Sequence, residues 1–275
     1  MEKQAWIQHL KSLEKNAIIA ATGRAAHLCA QLHSKIGGIP DLPPDFIWPY
    51  FENVRGWESS TPHPLSFIAQ ILLEDLIPYD LDHLLPTSGI LYFFFNLEEY
   101  IENEQWDRNV FYYDGDLTLL KPHPLPEELT GEERIPEFNM TYHALIDHPG
   151  NQEYRQFYDV EKKYEEWDER YEEDVALAGY PPRSDYDDRV FKFLGYGDII
   201  QNEVLSSAVF MHKSLSPDEE ETQPQDWINL FQTGFLLCSD YEQYWLDAGS
   251  LYFYIRKQDL AQRNFHHVCA FHECG

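Results

Sequence analysis

The C-terminal tail holds the residue types that most often bind zinc. They are His266, His267, Cys269, His272 and Cys274. Imidazole and thiolate groups are the usual zinc ligands, and a structural site needs four of them in tetrahedral geometry. The spacing of these five residues matches no established zinc finger. We therefore predict that the tail binds no metal and is solvated, with one cysteine packed as a small hydrophobic residue.

A second group of candidates is acidic. Asp240, Asp247 and Asp259 could offer oxygen ligands to a divalent cation, or work as a general acid and base. Asp240 and Asp259 flank expected strands, where aspartate more often caps a turn or a helix start. The sequence has no glycine-rich phosphate loop, no Gly-x-Ser-x-Gly elbow and no His-Glu-x-x-His motif. We therefore assign no catalytic residue and expect no cofactor.

Glutamine and tryptophan side chains complete the candidate binding residues. Each candidate glutamine comes at the end of an expected strand. A buried glutamine usually satisfies neighbouring backbone groups, and contact with a ligand is the alternative. The tryptophans are expected in the core, although half-exposed beside a cleft they would offer stacking surfaces. Together with two of the acids, the ligand-binding candidates are Trp48, Gln70, Gln201, Gln232, Asp240, Trp245 and Asp247.

A repeated segment indicates the elements that position these residues. Residues 89–95 read Gly-Ile-Leu-Tyr-Phe-Phe-Phe, and residues 249–255 read Gly-Ser-Leu-Tyr-Phe-Tyr-Ile. Gln70 stands 19 residues before the first copy, and Gln232 stands 17 residues before the second. Aromatic and β-branched residues favour strands, and an echo of this kind suggests duplication. The sequence therefore predicts a mainly β fold with peripheral helices (α+β), internally duplicated as two similar β-rich halves.

Apolar periodicity and glycine–proline breaks divide the chain further. Apolar residues at intervals of three and four predict helix in the N-terminal segment and again in an acidic middle segment. The apolar stripe of the acidic helix, from Phe157 to Tyr171, is expected to pack on the protein's own sheet. The segments are an N-terminal helical segment (1–36), a first β-rich half (37–150), an acidic amphipathic helix (151–182) and a second β-rich half (183–275), joined in one integrated domain.

Individual strands are predicted from short aromatic and β-branched runs. The strongest are at 65–73, 89–97, 110–113, 228–238 and 249–256. Leu117–Leu120 is expected to return as the hairpin partner of 110–113. The prolines between 122 and 136 predict an irregular stretch, and a short helix is expected from Asp259.

The charge of the chain excludes some partners. With 48 acids and 20 bases the formal net charge is −28, and residues 98–188 hold 26 acids against 8 bases. Such a field repels phosphate backbones, so we expect no nucleic-acid partner. No run approaches the roughly 18 apolar residues that cross a bilayer, the N-terminus resembles no signal peptide, and four cysteines make no disulfide framework. We expect a monomeric cytoplasmic protein that binds no membrane.

Several blocks resemble the YwqG-like bacterial proteins, a domain family of unknown function. The first block is Ser34 to Pro43, with Gly37-Gly38 inside it and Trp48-Pro49 after it. The later blocks are 67–71 with 89–94, 194–201, and 245–260, so the resemblance covers about 34–265 in the family's order. It implies a mainly β, internally duplicated fold with no established enzyme activity, and it suggests an immunity role in bacterial toxin systems.

Two classes of function fit these observations. The first is a non-catalytic, immunity-type protein that binds a basic protein such as a toxin, and the partner-binding candidates are Glu165, Glu166, Glu169 and Glu173. The alternative is a small-molecule binding protein or hydrolase-like enzyme with a site in the groove between the two halves. We favour the first, because no nucleophile is paired with a base. In a third reading, the acidity only keeps an aromatic-rich chain soluble.

Overall fold

The structure is a computed structural model of the whole 275-residue chain. It describes residues 3–24, 32–51, 62–97, 109–150, 171, 175–176, 178–180, 191–200, 204–219, 221–234, 237–238, 243–244 and 249–273. The predicted acidic helix therefore lies mostly outside the described residues, as do Gln201, Asp240, Trp245 and Asp247.

The described residues contain many strands and few helices, as expected for the predicted mainly β fold. The helices with both ends inside the described residues are α1 (Lys3–Ser12), α2 (Leu73–Leu76), α3 (Val204–Leu215) and α4 (Lys257–Ala261). The long strands are β1 (Lys15–Arg24), β6 (Ser66–Leu72), β7 (Ile90–Phe95), β8 (Val110–Tyr113), β10 (Phe138–Asp147), β11 (Phe191–Leu194), β12 (Trp227–Gln232), β15 (Ser250–Arg256) and β16 (Cys269–Glu273). The two-residue strands are β2 (Lys35–Ile36), β3 (Asp41–Leu42), β4 (Tyr50–Phe51), β5 (His63–Pro64), β9 (Lys121–Pro122), β13 (Leu237–Cys238) and β14 (Gln243–Tyr244). Short 3-10 turns lie at Ile77–Tyr79, Leu117–Leu119, Gly131–Glu133, Pro224–Asp226 and Phe265–His267.

One antiparallel sheet of ten strands forms the body of the protein. Its strand order is β16-β15-β12-β11-β1-β10-β2-β6-β7-β8. Five strands separate β7 from β12 in this order, yet Phe93 of β7 and Phe231 of β12 lie 4.7 Å apart between ring centroids. The sheet therefore curls around an apolar interior, where aromatic rings from both halves meet.

The sheet has two wings, a first one of β10-β2-β6-β7-β8 and a second one of β1-β11-β12-β15-β16. Each wing also buries its outer face. On the first wing, loops that carry Trp48 and Leu129 cover Tyr92 and Phe94. On the second wing, α3 covers the outer face, where Tyr254 and Cys269 are buried. Strands buried on both faces read as continuous apolar runs, which explains the burial of all six residues of β7 and all seven of β15.

The two wings correspond in order, register and irregularity. From the centre of the sheet outwards, the strands β10-β2-β6-β7-β8 of one wing correspond in order to β1-β11-β12-β15-β16 of the other. A bulge interrupts the pairing of β6 with β7 at Ile68, and another interrupts the pairing of β12 with β15 at Leu230. Because β1 pairs with β10, the two wings share one sheet. That they arose by internal duplication stays a prediction.

The structure corrects three predictions from local sequence. The segment 1–36 is not one continuous helical segment, because residues 15–24 form β1 at the centre of the sheet, with Ile18 and Ala20 in its core. Leu117–Leu119 forms a 3-10 turn, capped by the side chain of Asp116, and is not a strand. The C-terminal tail is not solvated, because β16 pairs with β15 and buries four of its five residues.

Other predictions are confirmed with small changes in their bounds. The strands predicted at 65–73, 89–97, 110–113 and 249–256 are β6, β7, β8 and β15, and the strand predicted at 228–238 is shorter, as β12. The short helix expected from Asp259 is α4, which begins two residues earlier. Among the described residues, no helix is long and apolar enough to cross a membrane.

Candidate functional site

Gln70 closes a polar cluster in the first half. Its amide oxygen accepts a hydrogen bond from the backbone N–H of Asp41 at 2.8 Å. Its amide nitrogen donates to the backbone oxygen of His33 and to Oδ2 of Asp41, both at 2.9 Å. Tyr92 donates from its hydroxyl to the Asp41 backbone oxygen at 2.6 Å, and Lys35 lies 3.5 Å from the Asp41 carboxylate. Gln70, fully buried, thus holds the turn after β2.

Gln232 makes the same contacts in the second half. Its amide oxygen accepts from the backbone N–H of Asp198 at 2.8 Å, and its nitrogen donates to Oδ2 of Asp198 at 3.3 Å. Tyr252 donates to the Asp198 backbone oxygen at 2.6 Å, and Lys192 lies 2.7 Å from the Asp198 carboxylate. Lys192 also faces Asp147 at 3.4 Å. The two glutamines therefore hold equivalent turns.

A second repeated pattern in the sequence, separate from the repeated strand segment, marks these two clusters. A lysine, a glycine three residues later and an aspartate three residues after that occur as Lys35, Gly38 and Asp41. The same spacing recurs as Lys192, Gly195 and Asp198. In both copies the glycine has positive φ, 72° and 66°, and the lysine pairs with the glutamine across the sheet. The contacts support a structural role for both glutamines, and ligand contact stays a prediction.

We expect Gln70→Ala and Gln232→Ala to lower the free energy of unfolding by similar amounts, about 2–3 kcal/mol each. Either change leaves a buried backbone N–H without its acceptor and a carboxylate without its donor. Urea denaturation of both variants, with the exposed Gln262→Ala as control, measures the effect. Costs that differ more than about twofold would contradict the equivalence of the two clusters.

Trp48 is a core residue. It is only 7% exposed, its indole N–H donates to the backbone oxygen of Leu65 at 2.9 Å, and its ring meets Phe94 edge-on at 5.3 Å. The expectation that Trp48 belongs to the core is confirmed. Gln201, Asp240, Trp245 and Asp247 stay predictions outside the described residues, as do Glu165, Glu166, Glu169 and Glu173.

Of the C-terminal histidines and cysteines, Cys269 and His272 lie in β16, on opposite faces of the strand. Cys269 is buried beneath α3, 4.0 Å from the backbone oxygen of Ala208, as expected for a cysteine packed as a hydrophobic residue. His272 stands on the other face of the strand, because side chains alternate. Cys274 lies outside the described residues, within which no three His, Cys, Asp or Glu side chains gather as a metal site. That the tail binds no zinc stays a prediction.

A buried charged cluster connects α3, β15 and α4. Arg256 is 3% exposed and donates from Nε to Asp259, and from Nη1 to Glu219 and to His212 Nε2, both at 2.6 Å. Its Nη2 lies 3.3 Å from Nδ1 of His267. Burial alone would lower the pKa of Arg256, but the bonds to Asp259 and Glu219 outweigh it and raise the pKa. Asp259, a sequence candidate for cation binding or acid–base work, instead neutralises this arginine.

The same cluster makes stability depend on pH. Burial and the positive charge of Arg256 hold the pKa of His212 below its ordinary value, so the folded protein keeps this ring neutral. Below about pH 6.5 the unfolded chain binds a proton at His212 that the folded chain resists. The stability contributed by neutral His212 is therefore complete above that pH and is lost as the pH falls through the folded value.

We expect the free energy of unfolding to fall as the pH drops below about 6.5, with His212 contributing at most about 1.4 kcal/mol per pH unit. His212→Gln, which cannot titrate but can accept from Arg256, should flatten the profile. The exposed His266→Gln is the control and should keep the wild-type slope. Denaturant titrations across the window measure this, and equal slopes for wild type and His212→Gln would contradict it.

A cleft of about 590 Å³ lies where the two halves meet. Residues 82–87 of the first half form one wall, and residues of α4 and the turn after it form the other. The lining residues are Lys15, Asn16, Asp82, His83, Leu84, Leu85, Pro86, Thr87, Gly195, Ile228, Lys257, Leu260, Ala261 and Arg263. Leu85, Ile228 and Leu260 are buried and form an apolar floor, whereas His83, Lys257 and Arg263 are exposed and stand at the mouth.

Hydrogen bonds fix the first wall of the cleft. Asn16 of β1 accepts from the backbone N–H of Leu81 at 2.9 Å, and its own N–H donates to Asp82 at 3.1 Å. The buried carboxylate of Asp80 accepts from the N–H groups of Leu84 and Leu85, at 3.2 and 2.8 Å. The protein's own hydrogen bonds therefore hold this wall in place, and small-molecule sites are usually pre-formed in this way.

The second wall is fixed by the end of α4. Arg263 donates its N–H to the backbone oxygen of Leu260 at 3.0 Å, and Asn264 donates to that of Asp259 at 2.8 Å. Arg263 has a φ of 57°, a conformation that glycine usually takes after a helix. On the floor, a Cβ on Gly195 would come within 2.7 Å of Ala17 and of Asp147, so the lining is tightly packed there.

The alternative interpretation of the sequence, a site in the groove between the halves, named none of the residues that line this cleft. Gln70, Gln232 and Trp48 do not line it. His83, Lys257 and Arg263 belong to no motif, and only the fold brings them near one another. No pattern in the sequence could have identified them.

One comparison with known proteins identifies the family of the chain. A family model described as a domain of unknown function, DUF1963, matches residues 34–274. No curated protein matches the sequence. The match starts at the residue where the sequence resemblance starts, and the narrower YwqG-like assignment rests on the motifs alone. Because the model covers most of the chain, the protein belongs to the DUF1963 family of unknown function.

Proposed function

We propose that this protein is a non-catalytic binding protein that holds a small molecule in the cleft between its two halves. The observation that carries the proposal is the cleft itself, with its apolar floor and charged mouth. A volume of about 590 Å³ falls within the range of ligand pockets, about 300–1,000 Å³, which also pair apolar walls with a few polar groups.

Backbone strain at the cleft supports the same proposal. Among the described residues, the non-glycine residues with positive φ are His83, Leu194 and Arg263. His83 and Arg263 line the cleft, and Leu194 immediately precedes the lining residue Gly195. Left-handed conformations at non-glycine residues are costly and cluster at ligand and active sites. Three of them around one cleft favour a binding site there.

Two related fluorescent probes test the proposal. They are N-phenyl-1-naphthylamine, which is neutral, and 8-anilinonaphthalene-1-sulfonate, which is its anionic analogue. At least one should bind with one-to-one stoichiometry, and Ala261→Trp, which fills the mouth of the cleft, should abolish binding. Gln262→Trp is the matched control, because Gln262 is the exposed neighbour that does not line the cleft. If neither probe binds, or if both variants bind alike, the proposal fails.

The alternative candidate is a basic protein partner, in the manner of an immunity protein that neutralises a toxin. The observation that favours it is charge, because residues 98–188 hold 26 acids against 8 bases. A face of one sign raises the rate of encounter with an oppositely charged protein, and this rate falls with ionic strength. The acidic helix expected over 151–182 would carry the interface through Glu165, Glu166, Glu169 and Glu173.

A capture experiment decides between a partner and mere solubility. The protein is used as bait at low salt, beside a variant in which those four glutamates are lysines. Its control reverses four exposed acids elsewhere: Asp45, Glu74, Asp218 and Glu221. The proposal expects a basic protein that the wild type and the control capture and the helix variant does not. Equal capture by all three, or capture of no basic protein, rejects it.

A further inference from the structure

We propose that the cleft selects a ligand that joins an anionic group to an apolar body. This inference rests on the proposed small-molecule function and adds the chemical class of the ligand. The anionic group would lie at the mouth beside Lys257 and Arg263, and the apolar body would lie on Leu85, Ile228 and Leu260.

The charge of the lining is opposite to the charge of the protein. In a chain with 48 acids and 20 bases, the cleft is lined by Lys15, Lys257 and Arg263, and by one acid, Asp82. Asp82 accepts the N–H of Asn16, so part of its charge is engaged in holding the wall. A cationic mouth on an anionic protein does not follow from composition. The cationic residues therefore indicate that the mouth of the cleft prefers a negatively charged ligand.

The cations differ in their chemistry. Lys15 lies 3.7 Å from the ring centre of Tyr196, a cation–π contact that keeps its ammonium group at the cleft. Burial raises the pKa of the Tyr112 hydroxyl on the edge strand β8, and the nearby positive charge of Arg263 acts against that rise. A guanidinium offers a planar fork that matches carboxylate, sulfonate and phosphate groups, so Arg263 is the residue best suited to orient an anion.

Strain at Arg263 indicates that its side chain matters. The residue follows α4 with a φ of 57°, where glycine costs least and a side chain is strained. The same holds for His83 on the opposite wall, with a φ of 54°. An arginine and a histidine in two positions that favour glycine are explained if their side chains act at the mouth of the cleft.

The apolar lining of the cleft indicates the second part of the ligand, its apolar body. Leu85, Ile228 and Leu260 form the floor, and Leu84 of the same lining is 39% exposed, so a ligand with an apolar body would cover apolar surface mainly at Leu84. An inorganic anion would leave that surface uncovered. We therefore expect inorganic phosphate to bind far more weakly than an anion with an aromatic or aliphatic body.

The two naphthylamine probes isolate the anionic group, because they differ in the sulfonate. We expect the sulfonate probe to bind at least tenfold more tightly than the neutral one, and its advantage to shrink in 0.5 M NaCl. Lys257→Gln and Arg263→Gln should each weaken the sulfonate probe about tenfold and leave the neutral probe unchanged. Lys121→Gln, an exposed lysine away from the cleft, is the control and should change neither.

Arg263→Gly separates binding from folding. Glycine relieves the left-handed strain, so the melting temperature should equal or exceed that of the wild type, while affinity for the sulfonate probe falls about tenfold or more. A purely structural arginine would show the reverse. If both probes bind at the cleft with equal affinity, or if Arg263→Gly and Lys257→Gln bind the sulfonate probe as the wild type does, the anionic class is wrong and the small-molecule function still stands. If Ala261→Trp leaves both probes bound, the small-molecule function itself is wrong.

Discussion

Asp259→Ala is expected to lower the free energy of unfolding by about 3–5 kcal/mol, a large part of the stability of a typical domain. Arg256 is 3% exposed, and Asp259, equally buried, neutralises it through Nε. Removal of one partner of a buried ion pair leaves an uncompensated charge, which costs much more than the pair itself contributes. Glu219 remains, but its side chain is 39% exposed and screened by water.

Two further variants separate this penalty from a general loss of packing. The double variant Arg256→Met/Asp259→Leu removes both charges, and most of the lost stability should return. Glu221→Ala breaks the exposed pair with Lys213 and should produce no measurable change. Chemical denaturation of all the variants measures the cycle. A double variant as unstable as Asp259→Ala would show that the cost comes from packing and not from the buried charge.

The same cluster also supports the candidate site. Asp259 lies within α4, and its backbone oxygen accepts from Asn264 in the turn that carries Arg263. His212 of α3 holds Arg256 from the other side. The wall that presents Lys257 and Arg263 is therefore anchored to the core by charged residues that do not line the cleft. Loss of Asp259 is expected to weaken probe binding as a consequence of unfolding or displacement of this wall.

Local pattern was enough to predict the strands that bury both faces. β7 and β15 are continuous aromatic and aliphatic runs, and their sequence echo predicted the equivalent positions that they occupy at the two ends of the sheet. β8 was predicted for the same reason, with the bounds that the structure gives. In such segments the side chains alone specify extended structure, since no helix could bury all of them.

Strands that depend on distant partners were not predictable. β1 contains alanines that favour a helix in isolation, and it is a strand because β10 and β11 bond to its two edges. β16 follows a polar histidine-rich turn, and its pairing with β15 and its packing beneath α3 keep it in the core. β10 exposes alternate residues and so carries few of the apolar signals that reveal a strand. The pairing energies that decide these segments come from residues far away in the sequence.

Some features of the candidate site can be seen in the sequence, whereas others depend on the fold. The lysine–glycine–aspartate turns were visible in the sequence as a repeated spacing, and the glutamines that close them were identified as candidates. The cleft was not visible, because its lining extends from Lys15 to Arg263 and its strained residues acquire their conformation from the turns that contain them. Sequence indicated where the halves meet but could not give the charge at their junction.

Gly37→Ala is expected to cost at least about 3 kcal/mol, because a side chain there meets backbone that cannot move. A Cβ would lie 2.4 Å from the backbone oxygen of Pro136 and 2.6 Å from that of Ile135. The N–H of Gly37 bonds Ile68 at 2.8 Å, which fixes the turn between β6 and the start of β10. The Ile135 carbonyl also accepts from the N–H of Gly38 at 2.9 Å, so its movement away from Gly37 would break that bond in the same turn.

Positive φ alone does not explain so large a cost. Leu194 follows Lys192 as Gly37 follows Lys35, and it carries a fully buried side chain at a φ of 61°, close to the 60° of Gly37. Gly131→Ala is therefore the matched control, since Gly131 has a φ of 50° and nothing within 4 Å of its would-be Cβ. Its cost should be about 1 kcal/mol, the strain of the conformation. Thermal and urea unfolding of both variants measures the difference. Equal costs would mean that the turn after β2 moves to accept a methyl group, and that the close approach of Gly37 to β10 does not fix this part of the sheet.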